Sequence, residues 1–518
     1  MSSRPDVVVA GAGHNSLVAA AYLAKAGFEV QVLEARPVVG GNTATEELTL
    51  PGFLHDSCST AHNLIQASPA IRELGLEEYG LEYLHPDPVV HVPFSDGTWL
   101  TQWRDLDRTC EEFAKFSRRD ADAYRRLIAD YDEAKGAFGT YRNNPLGRAP
   151  RPENVLGGRW RRRLAMSAWD VIRVEFEDWH TRAFMLWMAI MTVQPADRPG
   201  TGVLAYSLAY GRQQHSWTLP RGGSAALPLA LARVIQDHGG TILCGRRVAG
   251  LMLDGERCIG VETDNGERHL AKRAVLSTVH VKHLLEMAPR DAWGDEWAYS
   301  VDTWREGVCL FPTHLAMTEP PVFPVDGDTI APVASGIAPS VDRLLRLGGD
   351  VERGLLADDD PVLLVVCATV ADPSRAPEGR HVLKVIGFHP YAFADGGPAR
   401  WDEVKEDIAE RNLEQLRRFA PNLTEDTILA QLVKSPVDLE RMNAHNWHGT
   451  CHGGDLGPSQ SGALRFDPTT PIAGLFQTGA TTHPGGSVSA APGRNTAIVL
   501  LEELGSSLEQ AVGAAARV

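Results

Sequence analysis

A chain of 518 residues, 43% hydrophobic and 22% charged, has the composition of a globular protein and the length of two or three packed units. Its formal charge of -16 lacks the basic excess that a phosphate backbone rewards, which argues against nucleic acid as a partner. Seven scattered cysteines with no C-x-x-C pair, no apolar run of about 18 residues and no signal-like N-terminus predict a cytoplasmic protein without a disulfide framework, a metal site or a membrane span.

Asp6 to Ala10 (D-V-V-V-A) reads as a buried parallel strand. Gly11, Ala12, Gly13, His14, Asn15 and Ser16 follow, where Gly11 permits a tight turn and Gly13 a close approach of backbone to a diphosphate. Leu17 to Ala26 predicts a helix stopped by Gly27, and Phe28 to Leu33 a second strand ending at Glu34. Glu34 stands 21 positions after Gly13, where a carboxylate accepts hydrogen bonds from a ribose. Ser16 replaces the third glycine of the fingerprint and is small enough to keep helix and strand close. A strand–helix–strand unit that merely packs would not need glycines and acid in this register, so the unit predicts a dinucleotide site. Ala35, then the pair Gly40-Gly41 and Asn42, form a second loop of the kind that passes a diphosphate.

Between 148 and 163, six arginines surround Trp160 with only Glu153 opposing them. The run reads either as a surface resting on anionic lipid or as a solvated linker. Trp169, Ile172, Phe176, Trp179, Phe184, Trp187 and Met191 recur at near-helical spacing, and either line an apolar tunnel or form core between two helices. Leu219 to Ser224 leads into a helix over 227–237. Short strands follow at Thr241 to Leu243, Gly250 to Leu253, Cys258 to Thr263 and Ala274 to Ser277, with a turn at Asp254-Gly255. This block belongs either to the nucleotide domain or to a hairpin of a second domain. Asp360 to Ala368 and His381 to Phe388 predict two more strands, and 401–419 a helix with Leu413, Leu416 and Phe419 on one face. His445, His448 and His452 are close in sequence, but the segment is Gly-rich and offers no fixed ligand geometry, so no metal is expected.

Leu475 to Ala480 predicts a strand ending at Gly479, followed by Thr481-Thr482-His483-Pro484-Gly485-Gly486-Ser487-Val488 and a helix over 488–504, with Pro492 in its first turn and Gly505 as its stop. His483 is the one titratable group of that segment. It is a candidate proton relay, and the more favoured role is a structural hydrogen-bonding post beside Pro484.

G-A-G-H-N-S-L-V-A-A-A-Y-L-A-K-A-G, L-E-A-R-P-V-V-G-G and the C-terminal T-H-P-G-G segment together resemble the phytoene-desaturase-like flavoproteins, including carotenoid desaturases, ketolases and the branch of pyridine nucleotide-disulfide oxidoreductase domain-containing protein 2. The His14-Asn15 pair is typical of that group. The resemblance implies an α/β fold, a Rossmann-like FAD-binding domain interleaved with an α+β substrate domain. The expected segments are 1–74, 216–294 and 466–518 for FAD, and 75–215 and 295–465 for substrate. It further implies that backbone at Val248 meets the adenine, and that residues 443–454 form a loop near the substrate cavity. The helix after Gly486, Ser487 and Val488 would point its N-terminus at the flavin.

The implied activity is desaturation of a hydrophobic polyene or lipid-like molecule, by hydride transfer to flavin N5. No second G-x-G-x-x-G follows a strand, so oxygen or a quinone is the expected electron acceptor rather than NAD(P)H. The alternatives are a flavin-dependent ketolase or isomerase, an amine oxidase, or a non-catalytic FAD-stabilised scaffold.

Overall fold

A computed structural model describes residues 4–356 and 360–513 of the chain; the outer ends of the expected first and last segments, 1–3 and 514–518, lie outside the described residues. Two large sheets organise it. The first is parallel throughout, in the order Leu475–Gln477, Ala274–Ser277, Val7–Ala10, Val30–Glu34, Thr241–Cys244. Its strands thus come from three distant stretches of the sequence. Strands buried on both faces need cover on both, here helices on one and a small antiparallel sheet on the other, and their near-continuous Val and Leu runs reflect it.

The helix His14–Lys25 covers one face, starting three residues earlier than expected. Every residue from Asn15 to Ala24 is buried, because the helices Ala226–Asp237 and Ala491–Glu503 flank it. Its run of alanines lets those neighbours come close. The hairpin Val248–Asp254 with Arg257–Thr263 turns at Gly255, adds Arg268–Leu270 as a third strand, and packs Val248, Cys258 and Val261 against Val8, Leu33 and Val275.

The second sheet has seven strands, in the order Ile428–Val433, Cys309–Met317, His381–His389, Leu363–Val366, Ala334–Ile337, Val90–Pro93, Trp99–Gln102. The strand expected over 360–368 is shorter, since the chain turns into a 3-10 segment at Ala368–Val370. Alternation of period two sorts the faces of His381–His389. Leu383 and Val385 pack on Leu413 and Leu416 of the helix Trp401–Arg417, while Ile386 and Phe388 point the other way, into a cavity.

Part of the arginine run at 148–163 is answered by acids from elsewhere in the fold, while Arg161 and Arg162 stay exposed. Arg148 pairs with Glu502 at 2.6 Å, and Arg163 with Asp130 and Glu175 at 2.8 and 3.2 Å. Trp160 turns inward against Tyr131, Phe138 and Tyr206. Of the aromatic series, Ile172, Phe176, Phe184 and Trp187 are core, Trp179 is 38% exposed, and Met191 alone reaches the cavity wall. Among the described residues no helix is long and apolar enough to cross a membrane.

Candidate functional site

The carboxyl ends of the parallel strands open onto a cavity of about 1320 Å³ that continues to the inner face of the seven-stranded sheet. In open α/β sheets this edge is where ligands bind. Gly11, Gly13, His14, Asn15, Glu34, Ala35, Gly40, Gly41, Asn42, Val248, Gly479, Gly486, Ser487 and Val488 all line it. The fold therefore brings together residues that the sequence holds more than 400 positions apart.

The glycine loop and the second loop lie side by side. Gly13 bridges Gly40, and Gly40 N–H donates to the Ala12 carbonyl at 2.8 Å. The helix that follows has Gly13 at its N-cap, no capping side chain and no acid in its first turn. Its first amides are left for an anion, and a diphosphate satisfies both them and the helix dipole. Ser16 does not reach the wall. It sits fully buried with Oγ at 2.7 Å from the Gly11 carbonyl and 2.9 Å from that of Gly13, and braces the loop from behind.

Glu34 has a second task that its position in the sequence does not announce. Oε2 accepts the Ala12 N–H at 2.7 Å and Oε1 the Arg36 N–H at 2.9 Å, so the carboxylate ties the glycine loop to the end of its strand. Each oxygen keeps a further lone pair for a ribose hydroxyl. Glu34→Ala should then weaken FAD binding by roughly 10- to 100-fold, from loss of charge-assisted bonds worth about 1.5–3 kcal/mol, and should also lower the melting temperature of the apoprotein. Flavin-fluorescence titration and apoprotein melts check both. An unchanged affinity would place the ribose contact elsewhere.

Asn42 lines the wall, but its amide is committed. Nδ2 donates to Asn446 Oδ1 at 2.7 Å and to the Cys451 carbonyl at 3.3 Å, while Oδ1 accepts from Asn443 Nδ2 at 3.1 Å. Its side chain ties the loop over 443–451 to the second glycine loop and is not free for phosphate.

At the far end, the last long helix runs Ala491–Glu503, three residues later than expected at its start. Ser487 at φ 89° and Ala490 at φ 61° are left-handed, which no helix accommodates. The stretch 486–489 therefore stays as irregular backbone in the wall, with an uncapped helix N-terminus behind it. Gly486 is required here by neighbouring protein backbone. A Cβ at that position would stand 2.6 Å from the His452 carbonyl oxygen and 2.7 Å from its Cα.

Besides His283, three imidazoles line the cavity: His14, His445 and His452. Burial lowers each to about 4, although backbone contacts with Ser487, Thr278 and Thr192 respectively pull the other way. All three are neutral at ordinary pH. His448 instead stacks on Tyr391 and Trp447, with Nδ1 3.5 Å from Glu306. His483 is buried away from the wall with Nε2 3.1 Å from the Tyr141 carbonyl and its ring edge-on to Tyr141, a geometry that favours the structural post over the proton relay. Its neighbour Pro484 is the one that lines the cavity.

Sequence reasoning missed Cys58, Asn63, Gln194 and Arg212, which also line the cavity. The Cys58 thiol is held below the usual thiol range, chiefly by the neighbouring Cys451. Asn63 Nδ2 donates to the Gly211 and Ser216 carbonyls at 3.4 and 3.0 Å. None belongs to a local pattern, since each reaches the wall only through the packing of the two sheets.

Residues 17–299, more than half of the chain, match the flavin containing amine oxidoreductase family. The sequence is 27% identical to one of the subunits of the limonene dehydrogenase of Castellaniella defragrans, over 97% of this chain and 95% of that one. It is also 27% identical to a lycopene-forming phytoene desaturase of Pantoea ananas, over 97% of this chain and 100% of that one. The fold superposes on a solved putrescine oxidase with a TM-score of 0.63 at 16% identity, covering 97% and 99% of the two chains.

Proposed function

Because the chain belongs to the flavin containing amine oxidoreductase family and is an FAD-dependent oxidoreductase, we propose that it dehydrogenates a hydrophobic small molecule, with oxygen or a quinone as final acceptor. The observation that carries this reading is the composition of the substrate-side wall. The seven-stranded sheet contributes Leu310, Leu364, Ile386 and Phe388, and the helix Leu204–His215 contributes Leu204, Ser207, Leu208 and Arg212. Neither element places a carboxylate there. Along these two elements an ammonium substrate would meet apolar surface and a guanidinium, which disfavours the amine-oxidase alternative, while the carboxylates Glu153 and Glu440 line other parts of the cavity.

The five-stranded sheet, drawn from residues 7–34, 241–277 and 475–477, supports the division into cofactor segments 1–74, 216–294 and 466–518, and substrate segments 75–215 and 295–465. In this reading the amides at 11–15 and the loop at 40–42 hold the diphosphate, Glu34 the ribose, Val248 the adenine, and backbone at 486–488 the flavin. FAD, when bound, supplies a hydride acceptor for a substrate C–H bond. The chain's contribution is positional. Ile386, Phe388 and Leu364 hold the apolar body and exclude water, and the neutral His14, His445 and His452 add no competing charge. A reaction of this kind needs no strong general base, and none stands among these wall groups.

Anaerobic stopped-flow absorbance of the holoprotein tests the reading. Apolar hydrocarbons presented in detergent, limonene and phytoene first, should bleach the flavin, and oxygen or a soluble quinone should restore it. NADH and NADPH should reduce it only slowly. Rapid bleaching by putrescine or by NADPH would overturn the proposal.

A further inference from the structure

The helix Leu204–His215 turns one face to the cavity, with Leu204, Leu208 and Arg212 at four-residue spacing. Arg212 is 3% exposed. Its Nη1 donates to Met188 Sδ at 2.8 Å, and the guanidinium lies 4.0 Å from the ring centre of Trp217 and 5.7 Å from that of Trp187. Among the described residues it has no carboxylate partner and no side-chain bond to oxygen. Burial alone lowers its pKa, to about 9, with no neighbouring charge contributing.

The other buried arginines differ. Arg375 pairs with Asp56 and donates to the Leu54 carbonyl; Arg343 pairs with Asp350; Arg465 donates to the Gln460 and Ala480 carbonyls. Each of these has a carboxylate or carbonyl oxygen as partner inside the protein. Arg212 alone of the four has its guanidinium held by a thioether and two indoles, and it is the one that lines the cavity. A sulfur atom is a weak acceptor, and cation–π contacts return only a fraction of what burying an uncompensated charge costs. A guanidinium in a low-dielectric wall binds an oxyanion strongly and with fixed orientation.

We infer that Arg212 is the recognition site for an oxyanion, carboxylate or phosphate, at one end of the hydrophobic substrate, an inference that rests on the proposed reading of this cavity as the substrate site. The substrate class is then an apolar body with an acidic head. The head is fixed at Arg212 beside Trp217, and the body lies along the face of Leu310, Leu364, Ile386 and Phe388. The same cation would repel an ammonium substrate, within a fold shared with a putrescine oxidase.

The test titrates the holoenzyme with decanoate, decyl phosphate and decanol, reading the perturbation of the flavin absorption spectrum and the FAD content. At least one of the two anions should bind roughly 10- to 100-fold more tightly than decanol. The stronger of the two identifies the oxyanion. Arg212→Met should erase that preference, leave decanol affinity and FAD content unchanged, and Arg212→Lys should restore part of the preference. Equal affinity of all three ligands for the unsubstituted enzyme would overturn the inference while leaving the hydrophobic site intact. Loss of FAD from Arg212→Met would overturn it in favour of a cofactor role. If none of the three ligands perturbs the flavin, the substrate-site reading fails and takes the inference with it. Should Arg212→Met not fold, the anion-to-alcohol comparison on the unsubstituted enzyme decides alone.

Discussion

Arg375→Met should destabilise the protein by about 3–5 kcal/mol, among the largest effects expected of a single substitution outside the glycine loops. Arg375 and Asp56 are each 2% exposed at the side chain and meet at 3.0 Å. Asp56 is satisfied on its other oxygen by Thr45 Oγ1 and the Ser224 N–H, both at 2.8 Å. Lys384, on the central sheet strand, donates to the Asp56 and Cys58 carbonyls at 3.0 and 2.6 Å. The pair thus clamps residues 54–60, which include cavity-wall residues, between the nucleotide half and the seven-stranded sheet. Removing the guanidinium leaves a buried carboxylate whose direct donors are neutral, with Lys384, on the Asp56 carbonyl, as its remaining cationic neighbour. Adding Asp56→Asn to the same chain should recover a large part of the loss, because the uncompensated charge goes with it. Denaturant midpoints of the two single variants and the double variant measure this. A loss below about 1 kcal/mol for Arg375→Met would show that water reaches Asp56.

The nucleotide half was readable because its signals are local. Val7–Ala10, the glycine loop, the helix and Glu34 lie within 28 consecutive residues, and each position's demand follows from its immediate neighbours. The turn at Gly255, the alternation along His381–His389 and the apolar face of Trp401–Arg417 are local in the same sense. What the sequence concealed depends on distant partners. Asn42 looks like a phosphate ligand until Asn443, Asn446 and Cys451 are brought to it. Arg148 and Arg163 look unopposed until Asp130, Glu175 and Glu502 arrive from three other helices. Arg212 looks like any helical arginine, since nothing in L-A-Y-S-L-A-Y-G-R-Q-Q-H shows that its acidic partner is missing. The late start of the last long helix is the remaining case: Ser487 and Ala490 take left-handed backbone that neither residue type prefers, held there by the packing of the wall.

Gly493→Ala should lower stability and FAD affinity together, against the sign that helix propensity alone gives. Alanine in place of a mid-helix glycine ordinarily stabilises by about 0.4–1 kcal/mol. Gly493 lies where Ala491–Glu503 crosses His14–Lys25, and a Cβ there would stand 2.2 Å from the Asn15 carbonyl oxygen and 2.9 Å from Val18 Cβ. The first of these is backbone in the opening turn of the helix whose amides open onto the proposed diphosphate site, so the clash cannot be relieved by a side chain swinging aside. The helices must separate, which costs about 1–3 kcal/mol or more by the usual scale of overpacking, and the separation shifts the anion cradle itself. FAD affinity should fall at least roughly tenfold, which is about 1.4 kcal/mol. Gly136→Ala and Gly139→Ala supply the control. Both lie in the helix Arg118–Arg142 with open space where the Cβ would go, and both should melt slightly higher than the unsubstituted protein. The comparison separates propensity from packing within one protein. If Gly493→Ala melts as high as the two controls and keeps its FAD, the crossing at Asn15 is loose, and the close helix pair does not set the cradle.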